Sequence, residues 1–132
     1  IKGKKLLQTI NKFYTVDIGI ISAILGRNSR INRGHLLENL VYLELLRRYK
    51  SVFIGKNAEK EVDFIAIDIN GEITYYQVAL TVREENTLNR ELTVFYGIKD
   101  FFPKYLITLD PEETVHRGIK QINVVAWLMK GW

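Results

Sequence analysis

Residues 61–79, EVDFIAIDINGEITYYQVA, decide the fold, because two apolar segments flank Asn70-Gly71. Asn-Gly between two such segments is the strongest short signal for a β-hairpin. The flanking segments are rich in β-branched and aromatic residues, which favour strands. The stretch therefore predicts a hairpin with strands from Glu61 to Ile69 and from Glu72 to Val82.

The register of this hairpin decides which side chains share a face of the sheet. A two-residue turn places Asp63 opposite Val78, whereas a three-residue loop places Asp63 opposite Gln77. Gly71 can adopt the left-handed conformation that closes the longer loop. We expect the longer loop, because only then do the polar residues of the two strands converge beside Glu38.

Helices and further strands surround the hairpin. Gly34 to Tyr49 carries leucines around nearly its whole circumference, which predicts a buried helix. Asn86 to Ile98 predicts a second helix with one apolar side. The other predicted elements are an amphipathic segment at Lys4–Phe13, a helix at Asp17–Leu25, strands at Ser51–Ile54, Tyr105–Leu109 and Ile119–Val125, and a helical turn at Ala126–Met129. This order predicts an α/β fold, with a mixed central sheet flanked by helices on both faces.

Composition excludes several classes of protein. A length of 132 residues suits one domain, and the lack of cysteine excludes a disulfide framework, a thiolate nucleophile and a Cys-based zinc site. No apolar run approaches the roughly 18 residues of a membrane span, and no signal-peptide pattern opens the sequence. We therefore expect a cytoplasmic protein without membrane association. Because the first residue is Ile1 rather than Met, we also expect a C-terminal fragment of a longer protein.

Charge is unevenly distributed along the chain. Residues 1–60 contain twelve Lys and Arg against four acids, whereas residues 61–132 contain seven against eleven. A basic half can attract phosphate backbones, although an ordinary solvated surface gives the same pattern. The candidate phosphate contacts are three arginines of a predicted basic loop at 27–33 and two lysines further on, namely Arg27, Arg30, Arg33, Lys56 and Lys60.

Glu38, Asp63 and Gln77 form the constellation that most strongly indicates chemistry. Acids in apolar elements are costly unless they are paired or bound to a metal. A helical Glu, an Asp on one strand and an acid-x-Lys on the next hold Mg²⁺ in many nucleases, where the ion activates water. Motifs for a phosphate loop, a His-Glu-x-x-His metal site and a Gly-x-Ser-x-Gly nucleophile are absent from the sequence.

The order of Glu38, Asp63 and Gln77 along the sequence resembles that of the PD-(D/E)xK nuclease-like fold, which has a restriction-endonuclease-like core. More narrowly, residues 12–130 resemble the uncharacterised C-terminal domain of prokaryotic AAA-type ATPases. The matching strings are Phe13-Tyr14, Asp17-Ile18-Gly19, Gly34 to Asn39, Glu61 to Phe64, Tyr76 to Ala79, Arg90-Glu91, Lys99-Asp100, Pro103-Lys104, Leu109-Asp110 and Gly118 to Lys120. The resemblance implies an upstream ATPase module in the same chain, which would bind the ATP. The other partners we expect are DNA and a second copy of the chain.

The sequence departs from a working nuclease of this kind at two positions. Gln77 replaces the second acid, and its amide oxygen can coordinate but brings no charge. Ala79 stands where the Lys belongs, and a methyl group cannot stabilise developing charge. We therefore expect a degenerate, non-catalytic nuclease-like module that binds DNA or a protein partner. The alternatives are an active nuclease using Mg²⁺ at Glu38, Asp63 and Gln77, and a pure interaction or dimerisation domain.

The two acids also have purely structural explanations. Glu38 lies about one turn into its predicted helix, where an acid is favoured by the helix dipole. Asp63 alternates with apolar neighbours as a half-exposed strand residue does, and it could form a structural ion pair with Arg90.

Overall fold

The computed structural model describes residues 22–24, 26, 29–55 and 61–130. Within these residues, one six-stranded mixed sheet carries helices on both faces, so the predicted α/β class is confirmed. The elements in chain order are α1 (Arg30–Arg48), β1 (Ser51–Ile54), β2 (Phe64–Ile67), β3 (Ile73–Val78), α2 (Glu85–Tyr96), β4 (Lys104–Thr108), β5 (Thr114–His116), β6 (Ile119–Asn123) and α3 (Val124–Met129). The predicted segment at Lys4–Phe13 lies outside the described residues. Of the predicted helix at Asp17–Leu25, only residues 22–24 are described, and they are helical.

The sheet joins an antiparallel half to a parallel half. Its strand order is β1-β2-β3-β4-β6-β5. Strands β1, β2 and β3 pair antiparallel, β3, β4 and β6 pair parallel, and β5 pairs antiparallel with β6. Helix α2 makes the crossover between the parallel strands β3 and β4, because parallel neighbours cannot be joined by a tight turn.

The hairpin of β2 and β3 has the three-residue loop that the sequence predicts. Phe64 lies opposite Tyr76, which fixes the register in which Asp63 faces Gln77. Gly71 has φ +82°, and the Asp68 N–H donates to the Glu72 carbonyl across the loop at 3.0 Å. The Asp68 carboxylate also accepts from the Glu72 N–H at 3.0 Å, which adds a second hydrogen bond across the loop.

Each face of the sheet has its own apolar layer. Helices α1 and α3 cover one face, where Trp127 packs 5.8 Å from the ring of Tyr76 and Tyr105 stacks 5.4 Å from it. Helix α2 covers the other face, where Phe95 packs with Tyr75 and strand residues from β4 and β6. Because both faces are covered, the central strands are apolar on both sides, as buried strands are.

Helix α1 begins four residues before the predicted start, because Ser29 caps it. The Ser29 side chain accepts a hydrogen bond from the Asn32 N–H at 3.2 Å, which satisfies a donor of the first turn. The predicted basic loop at 27–33 is therefore wrong for Arg30 to Arg33, which form the first turn of the helix. Glu38 then lies more than two turns from the start, beyond the reach of the helix dipole, so that explanation of Glu38 is wrong.

The leucines of helix α1 predicted a helix buried on all sides, and this prediction is wrong. Leu46 is 46% exposed, whereas Glu44, two residues earlier on another side of the helix, is fully buried. Glu44 binds both Arg47, at 2.6 Å, and Arg48. Arg48 also lies over the ring of Trp127 and donates to the Trp127 carbonyl at 2.7 Å, so a buried charge network ties α1 to α3.

Strand β5 was not predicted from the sequence. It pairs with β6 through a tight turn in which Arg117 and Gly118 both have positive φ, of 51° and 84°. Two left-handed residues are the signature of the turn that matches the twist of a hairpin. No helix in the described part of the chain is long and apolar enough to cross a bilayer.

Replacing Glu44 by Gln should destabilise the fold by about 3 kcal/mol, because it leaves the buried guanidinium of Arg48 without its carboxylate. The measurement is urea unfolding at neutral pH. Glu72→Gln, at an exposed position of the hairpin loop, is the control and should change the free energy of unfolding by less than about 0.5 kcal/mol. A Glu44→Gln variant as stable as this control would contradict the proposed role of the network.

Candidate functional site

The candidate site lies where β2 and β3 separate, at the open end of their hairpin. Asp63 directly precedes β2, and Gln77 is the second-last residue of β3. The register puts both side chains on the face covered by α2, which contributes Glu91. Glu38 comes from α1, on the opposite side of the sheet, and interacts electrostatically with both acids.

At this point, hydrogen bonds from side chains replace the backbone hydrogen bonds between β2 and β3. The Asp63 N–H donates to Oε1 of Gln77 at 2.8 Å, and Oδ2 of Asp63 accepts from the Val78 N–H at 2.9 Å. Nε2 of Gln77 donates to Oε1 of Glu91 at 3.1 Å. These contacts explain why both strands are shorter than predicted, since Asp63 and Gln77 satisfy the backbone groups that a longer ladder would have used.

The three acids of the site all favour the protonated form more than exposed acids do. Burial raises the pKa of Asp63 to about 7, the Val78 hydrogen bond opposes this, and the charges of Glu38 and Glu91 add to it. Burial also raises the pKa of Glu38, although His35 partly lowers it. The pKa of Glu91 is raised by burial, lowered by its contact with Gln77 and by Arg90, and raised by Glu38. A neutral residue at position 77 avoids placing a fourth negative charge among them.

Glu91 is the site residue that the sequence analysis did not select. The dipeptide Arg90-Glu91 was noted only as a match to the resembling family. Nothing in the sequence indicated that α2 packs beside β3. Arg90 itself lies 3.9 Å from Glu91, with its side chain 73% exposed. No ion pair joins Arg90 to Asp63 in the described residues, so the predicted structural bridge between them is wrong.

A pocket of about 370 Å³ lies beside this cluster. Glu38 and Glu91 line it together with His35 and Arg90. Ala79, at the position where the resemblance implies a lysine, also lines it, and the described lining contains no lysine. The pocket therefore joins carboxylates to arginine side chains that come from the two helices.

The described part of the chain shows no ligand group already arranged for a catalytic Mg²⁺ ion. Carboxylates suit this ion, but among residues 29–55 and 61–130 no three acidic, histidine or cysteine side chains are arranged to hold a metal. Gln77 would have to complete the set, and its amide already bridges Asp63 and Glu91. The ligand set of Glu38, Asp63 and Gln77 stays a prediction, and no step below depends on it.

The predicted phosphate contacts are only partly described. Arg30 and Arg33 lie in the first turn of α1 and line a crevice of about 480 Å³ next to the site pocket. Arg27, Lys56 and Lys60 lie outside the described residues.

The chain is similar to a protein of Haemophilus influenzae that bears the name "Uncharacterized protein". The two are 43% identical over 131 residues, which are 98% of this chain and 32% of that protein. The chain thus spans about a third of the length of this relative. No family model matches the chain, and no solved structure matches it.

Asp63 should make the fold less stable as the pH rises. Its pKa of about 7 lies above the ordinary value of 3.8, so the folded state holds a proton that the unfolded chain releases. Stability is therefore lost between about pH 4 and about pH 7. Asp63→Asn removes this loss and keeps an oxygen for the Val78 N–H.

Urea unfolding at several pH values tests this expectation. The native chain should lose more stability over this range than Asp63→Asn does, by up to about 1.4 kcal/mol for each pH unit. Glu72→Gln, at an exposed position, should follow the native chain. Parallel curves for the native chain and Asp63→Asn would show that Asp63 is ionised in the folded state.

Proposed function

We propose that this chain is a degenerate nuclease-like module that binds nucleic acid without cutting it. The observation that carries the proposal is the position of Gln77, whose amide bridges Asp63 and Glu91 where the resemblance implies a second acid. Gln77 thus serves as a hydrogen-bond bridge that organises the acids. It is not available as a charged ligand.

The absence of a lysine at position 79 supports the lack of cleavage. Phosphodiester hydrolysis needs positive charge close to the oxygens on which negative charge develops, and the methyl group of Ala79 supplies none. The arginine of α2, Arg90, has a largely exposed side chain beside Glu91. Its charge is therefore partly neutralised and screened by solvent.

Arginines beside the acid cluster support a nucleic-acid partner. Arg30 lines both the site pocket and the adjoining crevice, and Arg33 lines the crevice. Guanidinium groups match phosphate oxygens in geometry and charge. The basic N-terminal half of the sequence points to the same class of partner.

The wider setting of the module follows from the resemblance. We place it in the cytoplasm, as part of a longer chain whose ATPase module would bind the ATP. The partial coverage of the Haemophilus influenzae relative is compatible with a longer chain. An interaction or dimerisation domain without a nucleic-acid partner is the competing function, and the binding experiment below separates the two.

The chain should not cleave DNA in the presence of Mg²⁺ or Mn²⁺. Loss of one group that stabilises the transition state costs roughly 10²–10³ in rate, and here both the acid at 77 and the lysine at 79 are missing. The measurement is an assay with end-labelled single-stranded and duplex DNA. Metal-dependent cleavage that disappears in Asp63→Asn would establish the active-nuclease alternative.

Affinity for DNA should fall with salt by roughly one power of the salt concentration for each phosphate contact. The affinity is measured by fluorescence anisotropy at several salt concentrations. Replacing both Arg30 and Arg33 by Gln should reduce the slope of log affinity against log salt concentration by about two units, one for each lost contact. Lys99→Gln, in the loop between α2 and β4, is the matched control and should leave it unchanged.

Two outcomes of this titration would favour the interaction-domain alternative. One is the absence of measurable binding at low salt. The other is binding that does not respond when all five candidate cations, Arg27, Arg30, Arg33, Lys56 and Lys60, are replaced together.

A further inference from the structure

A crevice of about 480 Å³ opens at the carboxyl ends of β3 and β4. The layer formed by α1 bounds it on one side and the start of α2 on the other, with Leu80 and Leu109 of the strand ends between them. Because β3 and β4 are parallel, both strands end at this edge of the sheet. This crevice is separate from the acid cluster around Asp63 and Gln77.

Three arginines line the crevice from different parts of the chain. Arg30 and Arg33 come from the first turn of α1, and Arg83 comes from the segment that leads into α2. Nε of Arg33 donates to the Ile24 carbonyl at 2.6 Å, which fixes the direction of its guanidinium group. The hydroxyl-bearing Thr81 and Thr87 also line the crevice. These side chains are all hydrogen-bond donors to an anion.

The backbone adds to the positive potential of the crevice. Helices α1 and α2 both begin at its wall, because residues of their first turns line it. The N-terminal ends of helices carry partial positive charge and favour anions. Glu84 and Glu85 at the start of α2 offset part of this effect, so most of the positive charge of the crevice comes from the arginines.

The acids of the crevice leave room for an anion. Asp110 is buried in its wall, where the carboxylate accepts from the Val82 N–H at 2.8 Å and lies 3.7 Å from Nε of Arg83. Arg83 also lies 3.4 Å from the exposed Glu112. Both of these distances exceed the length of a tight charged hydrogen bond. A phosphate group can therefore displace the two carboxylates from Arg83. Glu84 also lines the crevice, and it is exposed to solvent.

The crevice and the site pocket are neighbours. Arg30, Leu80, Thr81 and Thr87 line both of them. A ligand anchored in the crevice can therefore extend towards Arg90 and Glu91 in the pocket of about 370 Å³. The two spaces together can hold one nucleotide unit, with the anchored phosphate at one end.

We propose that the three arginines of this crevice bind a phosphomonoester, which is either the terminal phosphate of a nucleic-acid strand or the phosphate of a free nucleotide. A phosphomonoester carries about −1.5 to −2 charges at neutral pH and offers three strong acceptor oxygens. An internal phosphodiester carries one charge and continues in both directions, so it matches an open basic surface better than a concave crevice. For the strand end, the inference rests on the proposed function and specifies which part of the nucleic acid is recognised.

Isothermal titration of the chain with matched probes tests the proposal. The probes are one single-stranded 12-mer with a phosphate at its 5′ end, at its 3′ end or at neither end, together with AMP and adenosine. We expect at least one phosphorylated probe to bind about tenfold or more tighter than its unphosphorylated counterpart, because charged hydrogen bonds are gained. Arg30→Gln and Arg83→Gln should each abolish this preference, whereas Lys99→Gln should keep it.

Thermal unfolding of each variant shows whether the fold is intact, and Arg83→Gln is the more secure variant because its side chain is 65% exposed. The inference fails, and the proposed function stands, if all DNA probes bind equally and AMP binds no better than adenosine. The inference stands, and the proposed function fails, if AMP binds through the arginines and no DNA probe binds. Both fail if no probe binds.

Discussion

The contact between Asp63 and Gln77 is the interaction on which the site depends. It exists only in the register set by the three-residue loop at Gly71, since a shift of one residue would put the two side chains on opposite faces. The Asp63 carboxylate and the Gln77 amide replace the backbone ladder, so the two strands separate there. That separation leaves the ends of α1 and α2 to frame the pocket beside Ala79.

The charges around this contact divide into two regions with different chemistry. The charge of Glu38 raises the pKa of both Asp63 and Glu91, and the charge of Glu91 also raises that of Asp63. The neutral amide of Gln77 links Asp63 to Glu91. Three arginines, Arg30, Arg33 and Arg83, line the neighbouring crevice, where our proposal places a phosphate group. Under the proposed function, the arginines hold a nucleic acid and the acid cluster does not cut it.

The hairpin was predictable because its signals are local. Asn-Gly and the apolar strands predicted the hairpin, whereas its correct register was predicted from the convergence of Asp63 and Gln77 beside Glu38, with Gly71 free to close the longer loop. The start of α1 was missed because Arg and Asn dominate its first turn, and the single cap of Ser29 is a weaker signal. The role of Glu91 was not predictable, because its partner Gln77 comes from another element. Glu44 pairs with arginines of its own helix, but the ring of Trp127 that packs on Arg48 comes from a distant part of the chain.

The state of the Gln77 amide tests the account most directly. The measurement is an NMR titration with Mn²⁺, in which the side-chain amide of Gln121 serves as the reference. If the Gln77 amide bridges Asp63 and Glu91, its signal should persist at every Mn²⁺ concentration that leaves the Gln121 signal unchanged. Selective broadening of the Gln77 signal at low Mn²⁺, with Gln121 as the internal reference, would contradict the account. That result would show that Mn²⁺ binds beside Gln77, as a metal site with Asp63 requires.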